Sequence, residues 1–150
     1  MKHSIFFIII TFSTSCFCQK ADSLTPEELT LAFIKDYYEW NEYAFRTDRG
    51  NGSNDAEIER NYRKIIRKYC IPQKDYQGIT FGSESSHHPE YEKIVTTDSK
   101  ESKVIIKTHF NDPNHPYSIA DWEYHFLFIK GKWLLEEVYY IAEEAKYKAL

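Results

Sequence analysis

The chain has 150 residues, with 19 Lys+Arg against 23 Asp+Glu, a formal net charge of -4, and 17% aromatic residues beside a single Met. That length accommodates one domain with a real core rather than two, and the acidic balance offers no basic field for nucleic acid. The excess of Tyr and Phe favours a sheet-containing fold over a plain helical bundle.

Residues 1–18 have the layout of an export signal: Lys2 and His3 make a short positive segment, 5–12 is apolar, and 13–18 supplies small residues where a peptidase cuts. The apolar run falls far short of the roughly 20 residues that span a bilayer core. Two processing readings stand side by side. Cleavage after Cys18 releases a soluble chain that begins at Gln19, whereas Ser13-Thr14-Ser15-Cys16 resembles a lipobox in which Cys16 is acylated, with Ser13 where an apolar residue is usual. Both predict an exported protein, free in the periplasm or lipid-anchored at the cell envelope. Loss of 1–18 leaves 18 basic against 23 acidic residues. Cys70 is then alone, so no disulfide framework supports the fold, and it is either a buried small apolar residue or an unpaired thiol.

Residues 19–24 read as a polar linker, and 25–150 as the domain. Thr25 followed by Pro26 and Glu28 is a helix start, with an N-cap, a proline at the first helical position and a capping-box glutamate. Leu29, Phe33, Tyr37, Trp40 and Ala44 then recur at helical spacing to about Arg46, making one core-facing stripe. A Gly/Asn-rich loop follows. Asn54 or Asp55 caps a second helix in which Ile58, Tyr62, Ile65, Ile66 and Tyr69 repeat up to Pro72. Its other face holds Arg60, Arg63, Lys64, Arg67 and Lys68, which is a solvated surface on the plain reading and a patch for an acidic partner on the sharper one.

The stretch 71–89 is irregular. Residues 91–97 and 103–110 read as two strands joined by a polar turn at 98–101, with Val104, Ile106, Thr108 and Phe110 alternating with Ile105, Lys107 and His109. A loop with two prolines leads to a longer hairpin, 121–129 and 133–141 about Lys130-Gly131-Lys132. In its first arm Trp122, Tyr124, Phe126 and Phe128 share a face opposite Asp121, Glu123 and His125. Strict alternation in its second arm groups Trp133, Leu135, Tyr139 and Ile141 against Leu134, Val138 and Tyr140. Two helices followed by four strands predict an α+β fold, with the helices on one face of an antiparallel sheet.

Chemistry-bearing groups are few. His87, His88 and Glu90, with His109, Asp112, His115, Asp121 and His125 downstream, are the only dense supply of ligands. They lack His-Glu-x-x-His or paired-Cys spacing, so a polar turn whose imidazoles cap backbone groups is the reading preferred to a metal site. An acid/base pair of His109 with His125, or Asp121 with Glu123, would require one sheet face under the helices. Phosphate loops, nucleophile elbows and Ser/His/Asp signatures are absent.

The segment 81–94, FGSESSHHPEYEKI, together with 124–139, YHFLFIKGKWLLEEVY, is similar to the NTF2-fold immunity proteins of bacterial polymorphic toxin systems. The resemblance covers about 29–141. It implies an NTF2-like cone, with N-terminal helices packed on a strongly curved antiparallel sheet, and a non-enzymatic immunity protein that binds and neutralises a cognate toxin. It implies no catalytic residues and no cofactor. His87, His88, Pro89, Glu90 and Glu92 match the family pattern, first as an ordered loop entering the sheet and second as a partner-binding element. The export signal departs from the many cytoplasmic members, so the toxin is expected to act at the envelope or to arrive from outside. The alternative is an exported NTF2-like carrier or enzyme that uses the cone pocket, marked by Asp121 or His125 pointing inwards.

Overall fold

A computed structural model describes residues 24–48, 50, 52–115, 117–143 and 145–150. The export signal, the candidate lipidation site Cys16 and nearly all of the linker lie outside the described residues.

Helix α1 (Pro26–Thr47) begins with the reciprocal capping box expected of Thr25 and Glu28: the Thr25 hydroxyl accepts from the Glu28 amide, and the Glu28 carboxylate accepts from the Thr25 amide. Each contact pairs an amide that a helix start leaves orphaned. Helix α2 (Asp55–Tyr69) follows without a side-chain cap from Asn54, whose amide instead donates to the Thr47 carbonyl and closes the interhelical loop. The two helices meet along their predicted stripes. Trp40 stacks near Tyr62 and donates its indole N–H to the Ile58 carbonyl at 3.1 Å, which satisfies a buried donor across the helix pair.

Five strands form one antiparallel sheet in chain order: β1 (Glu92–Lys100), β2 (Lys103–Asn111), β3 (Ile119–Ile129), β4 (Lys132–Ala142) and β5 (Ala145–Lys148). The sheet is not closed. Its helix-facing side carries Val104, Ile106, Phe110, Trp122, Tyr124, Phe126, Leu135 and Val138, which pack with Phe33, Ile34, Trp40 and Ile58 into the core. Cys70 lies in this core and bridges to Leu135, and burial pushes its thiol up to about 12, so the cysteine is inert packing.

Four expectations are corrected. The first hairpin turns at Glu101 and Ser102 rather than at 98–101, because Glu101 adopts φ 48° and lets both strands run on. The pairing of β4 skips Glu136: His125 pairs with Glu137 and Phe126 with Leu135. This bulge puts Leu135 on the helix side and Tyr139 on the other, so strict alternation fails. Phe128 shares the face of Phe126 yet is 45% exposed, packed beside Trp133 at the far end of the hairpin. Finally, β5 was not expected; it covers the edge of β4, with Lys146 on Glu123 at 2.7 Å and Lys148 on Glu137 at 3.5 Å. The turn between β3 and β4 does follow its sequence, with Lys130 and Gly131 both at positive φ as a two-residue hairpin requires.

Candidate functional site

Of the five motif residues, two are drawn into the core. Glu92 is 0% exposed at the start of β1, and its two oxygens accept three hydrogen bonds: from Nδ1 of His87 at 2.8 Å, the Thr108 hydroxyl at 2.5 Å and the Tyr124 hydroxyl at 2.7 Å. Thr108 and Tyr124 reach it because β2 and β3 present their even-numbered residues to the same face. Burial, together with the neighbouring Glu92 charge and hydrogen bond, raises the Tyr124 hydroxyl well above its usual range, so it stays protonated as a donor. The His87 ring is enclosed by Trp122, Tyr37, Tyr124 and Phe33. This closed polar cluster pins the chain segment between helices and sheet onto the core.

Pro89 and Glu90 are exposed and His88 is half-buried. The His88 carbonyl accepts from the amides of Tyr91 and Glu92, its ring Nδ1 accepts from the Glu90 amide at 3.1 Å, and the ring stacks on Tyr91 at 4.1 Å and meets Tyr38 of α1 edge-on at 4.4 Å. Tyr38, Thr108 and Tyr124 were not singled out as site residues. The alternation of β2 and β3 was the available signal for the last two; nothing in the sequence pointed to Tyr38.

Two small cavities, about 350 and 190 Å³, share Glu84, Ser85, Phe110 and Ser118 and so form one groove beside this stack. One half is apolar, lined by Phe110, Trp122, Ala120 and Tyr140. The Trp122 indole N–H has no hydrogen-bond partner among the described residues. The other half carries Tyr38, His88 and Tyr91 with the carboxylates of Glu42, Glu84 and Asp112. His115 bridges Asp112 at 2.9 Å and approaches Glu84 at 3.7 Å; the hydrogen bond to Asp112 raises the His115 pKa and lowers that of Asp112.

The acid/base pairs posited on one face under the helices are not there. His109, Asp121, Glu123 and His125 occupy the opposite side of the sheet, since their strand neighbours Thr108, Trp122 and Tyr124 face the helices. His109 bonds Asp121 at 2.7 Å in the open. Glu123 is buried under Lys146, His125 and Lys107. Burial would raise its carboxyl, but hydrogen bonds from these three hold it down at about 2. These charges tie strands together. No group of three or more His, Cys, Asp or Glu side chains among the described residues could hold a metal ion.

Another cavity, about 380 Å³, lies between α1, α2 and residues 77–86. Its polar lining is already engaged within the chain: Tyr37 donates to the Thr80 carbonyl, and the Asn41 side chain pairs with both backbone groups of Gly82. No described helix is long and apolar enough to cross a membrane. In comparisons with protein-family models, curated proteins and solved structures, the chain matches none.

Proposed function

We propose that this chain is an exported, non-enzymatic immunity protein of NTF2-like cone architecture that binds and neutralises a cognate protein toxin. The observation that carries the reading is the use made of the interior. Between helices and sheet, Phe33, Trp40, Trp122, Tyr124 and Phe126 fill the space, and the polar groups there, His87, Glu92, Thr108 and Tyr124, hydrogen-bond to one another. A catalytic cavity needs polar groups that converge on an open volume. Asp121 and His125, which would favour the enzyme alternative by pointing inwards, sit on the far face instead. The carrier alternative has two cavities: one of 380 Å³, where Tyr37 and Asn41 are hydrogen-bonded within the chain, and one of about 490 Å³ beside α2, lined by the charged Glu59, Arg63, Lys74 and Asp75 rather than by a mostly apolar wall. The groove offers aromatic side chains, which are enriched at protein contacts, beside carboxylates that favour a basic partner. The helices-then-sheet order and the 81–94 segment add the specific family reading.

The test is genetic. The product of the adjacent open reading frame, directed to the periplasm, should arrest growth when expressed alone, and co-expression of this chain with its own signal should restore it. Failure of the wild-type chain to rescue an arrest caused by that product, or the absence of any arrest, would overturn the reading.

A further inference from the structure

The groove beside Tyr38, His88 and Tyr91 places carboxylates next to aromatic rings. Several carboxylates elsewhere are met by cations: Glu59 by Arg63, Asp36 by Lys68, Glu136 by Lys103, Glu137 by Lys74 and Lys148. In the groove, Glu42, Glu84 and Asp112 face a lining that contains no lysine or arginine, and its basic groups are the imidazoles of His88 and His115. Aromatic rings stand beside these acids, with His88 stacked on Tyr91 and meeting Tyr38 edge-on. The apolar half continues the groove over Phe110 and Trp122, next to Ile119, which is 53% exposed, and Tyr117 nearby is 98% exposed. Apolar side chains that form one contiguous exposed patch mark contact surfaces.

A guanidinium suits such a place better than an ammonium. It is planar, so it stacks on aromatic rings, and its forked donors bind carboxylates two at a time. An apolar residue next to it would cover the Phe110 and Trp122 half, withdrawing apolar area from water.

We infer that this groove is the toxin-docking surface and that it takes an arginine-bearing loop of a basic toxin, with the guanidinium against Tyr38 and Tyr91 between Glu42 and Glu84 and the adjoining apolar side chain over Phe110 and Trp122. The inference rests on the reading of the chain as a toxin-binding protein and adds to it the surface and the chemical character of the partner. The basic face of α2 is then solvated surface, and Arg63 is available as a control position, already paired within its helix.

A random dodecapeptide library displayed on phage, selected on the immobilised full-length chain, probes the groove without the toxin. The expected result is enrichment of peptides with Arg beside an aromatic or aliphatic residue. Their synthetic consensus should bind at least tenfold more weakly to Glu84→Lys and to Tyr38→Ala, and within twofold of wild type to Arg63→Glu. Selection of acidic peptides lost with Arg63→Glu moves docking to α2 and overturns the inference, as does the absence of arginine enrichment. The growth assay separates this outcome from the wider reading. If wild type rescues and the Glu84→Lys/Tyr38→Ala double variant rescues equally, the groove is wrong and toxin binding stands; if wild type does not rescue, toxin binding itself falls. Glu84 is exposed and Tyr38 half-buried, and circular dichroism melts within a few degrees of wild type verify that both variants fold.

Discussion

Glu92 is the residue on which most polar neighbours depend. Truncating it strands His87, Thr108 and Tyr124 inside the core without their acceptor, and breaking a buried charged cluster from one side typically costs about 3 to 5 kcal/mol. Glu92→Ala should therefore lose that much in chemical denaturation. Glu92→Gln, which keeps one acceptor, should lose less. A cost below about 1 kcal/mol for the alanine variant would mean that the cluster contributes little beyond its packing. At the surface, His115 supplies a second check. Its pKa is raised above the ordinary 6.5 by Asp112 and then Glu84, so its stabilising contribution is fully present below 6.5 and disappears as pH rises through the higher folded value. Asp112, lowered from 3.8, contributes above that value and loses its contribution as pH falls through its folded pKa. An NMR titration should place the His115 midpoint above 6.5 and, in Asp112→Asn, return it towards 6.5; identical midpoints in the two proteins would show that the pair does not form in solution. None of this residue-level pairing was legible beforehand. His87 lies in an irregular segment with no periodic rule, and the partners of Glu92 at the start of β1 are set by residues of other strands that lie 16 and 32 positions downstream.

The elements fared differently according to how much pattern each carries. Helix α1 was readable to within a residue, because its stripe is long and its start is written in Thr25, Pro26 and Glu28. Strands β2 and β3 were readable because apolar and polar residues alternate along them. The β4 bulge was not. Leu134 and Leu135 are both apolar and Glu136 and Glu137 both acidic, so neighbours are alike in type and only the pairing with β3 decides which residue is skipped. Strand β5 escaped because Ala145, Lys146, Tyr147 and Lys148 offer four residues with no buried face of their own. Its stability is borrowed from Glu123 and Glu137 and from Leu150, which is buried beyond it. Deleting 145–150 should cost about 2 kcal/mol or more, the order of one buried leucine, and should expose β4 as an edge prone to pairing with other chains. Thermal melts and size-exclusion chromatography measure both effects. A variant as stable and as monodisperse as the full chain would show that β5 merely decorates the sheet.

For the whole molecule, the division of labour is between an interior that closes on itself and one surface that does not. If the partner is a basic protein, as proposed for the groove, its association with this chain is steered by opposite charge, and such rates fall steeply with salt. The association rate constant should drop on the order of tenfold from low to physiological ionic strength. Glu84→Lys should flatten that dependence, and stopped-flow or surface-plasmon measurements at several salt concentrations would show it; a rate indifferent to salt would argue for a neutral partner. The architecture of the sheet has a consequence of another kind. Because β1 to β5 pair strictly in chain order through short or modest connections, every ladder forms between segments that are already close along the chain. Chains whose contacts are local fold faster than chains that wait for distant strands. The slow event is then the docking of the finished helix pair onto the meander, where Cys70 meets Leu135 and Ile71 donates to the Leu135 carbonyl across more than sixty positions. Local pairing would in this way complete the sheet before the helices close the core against it.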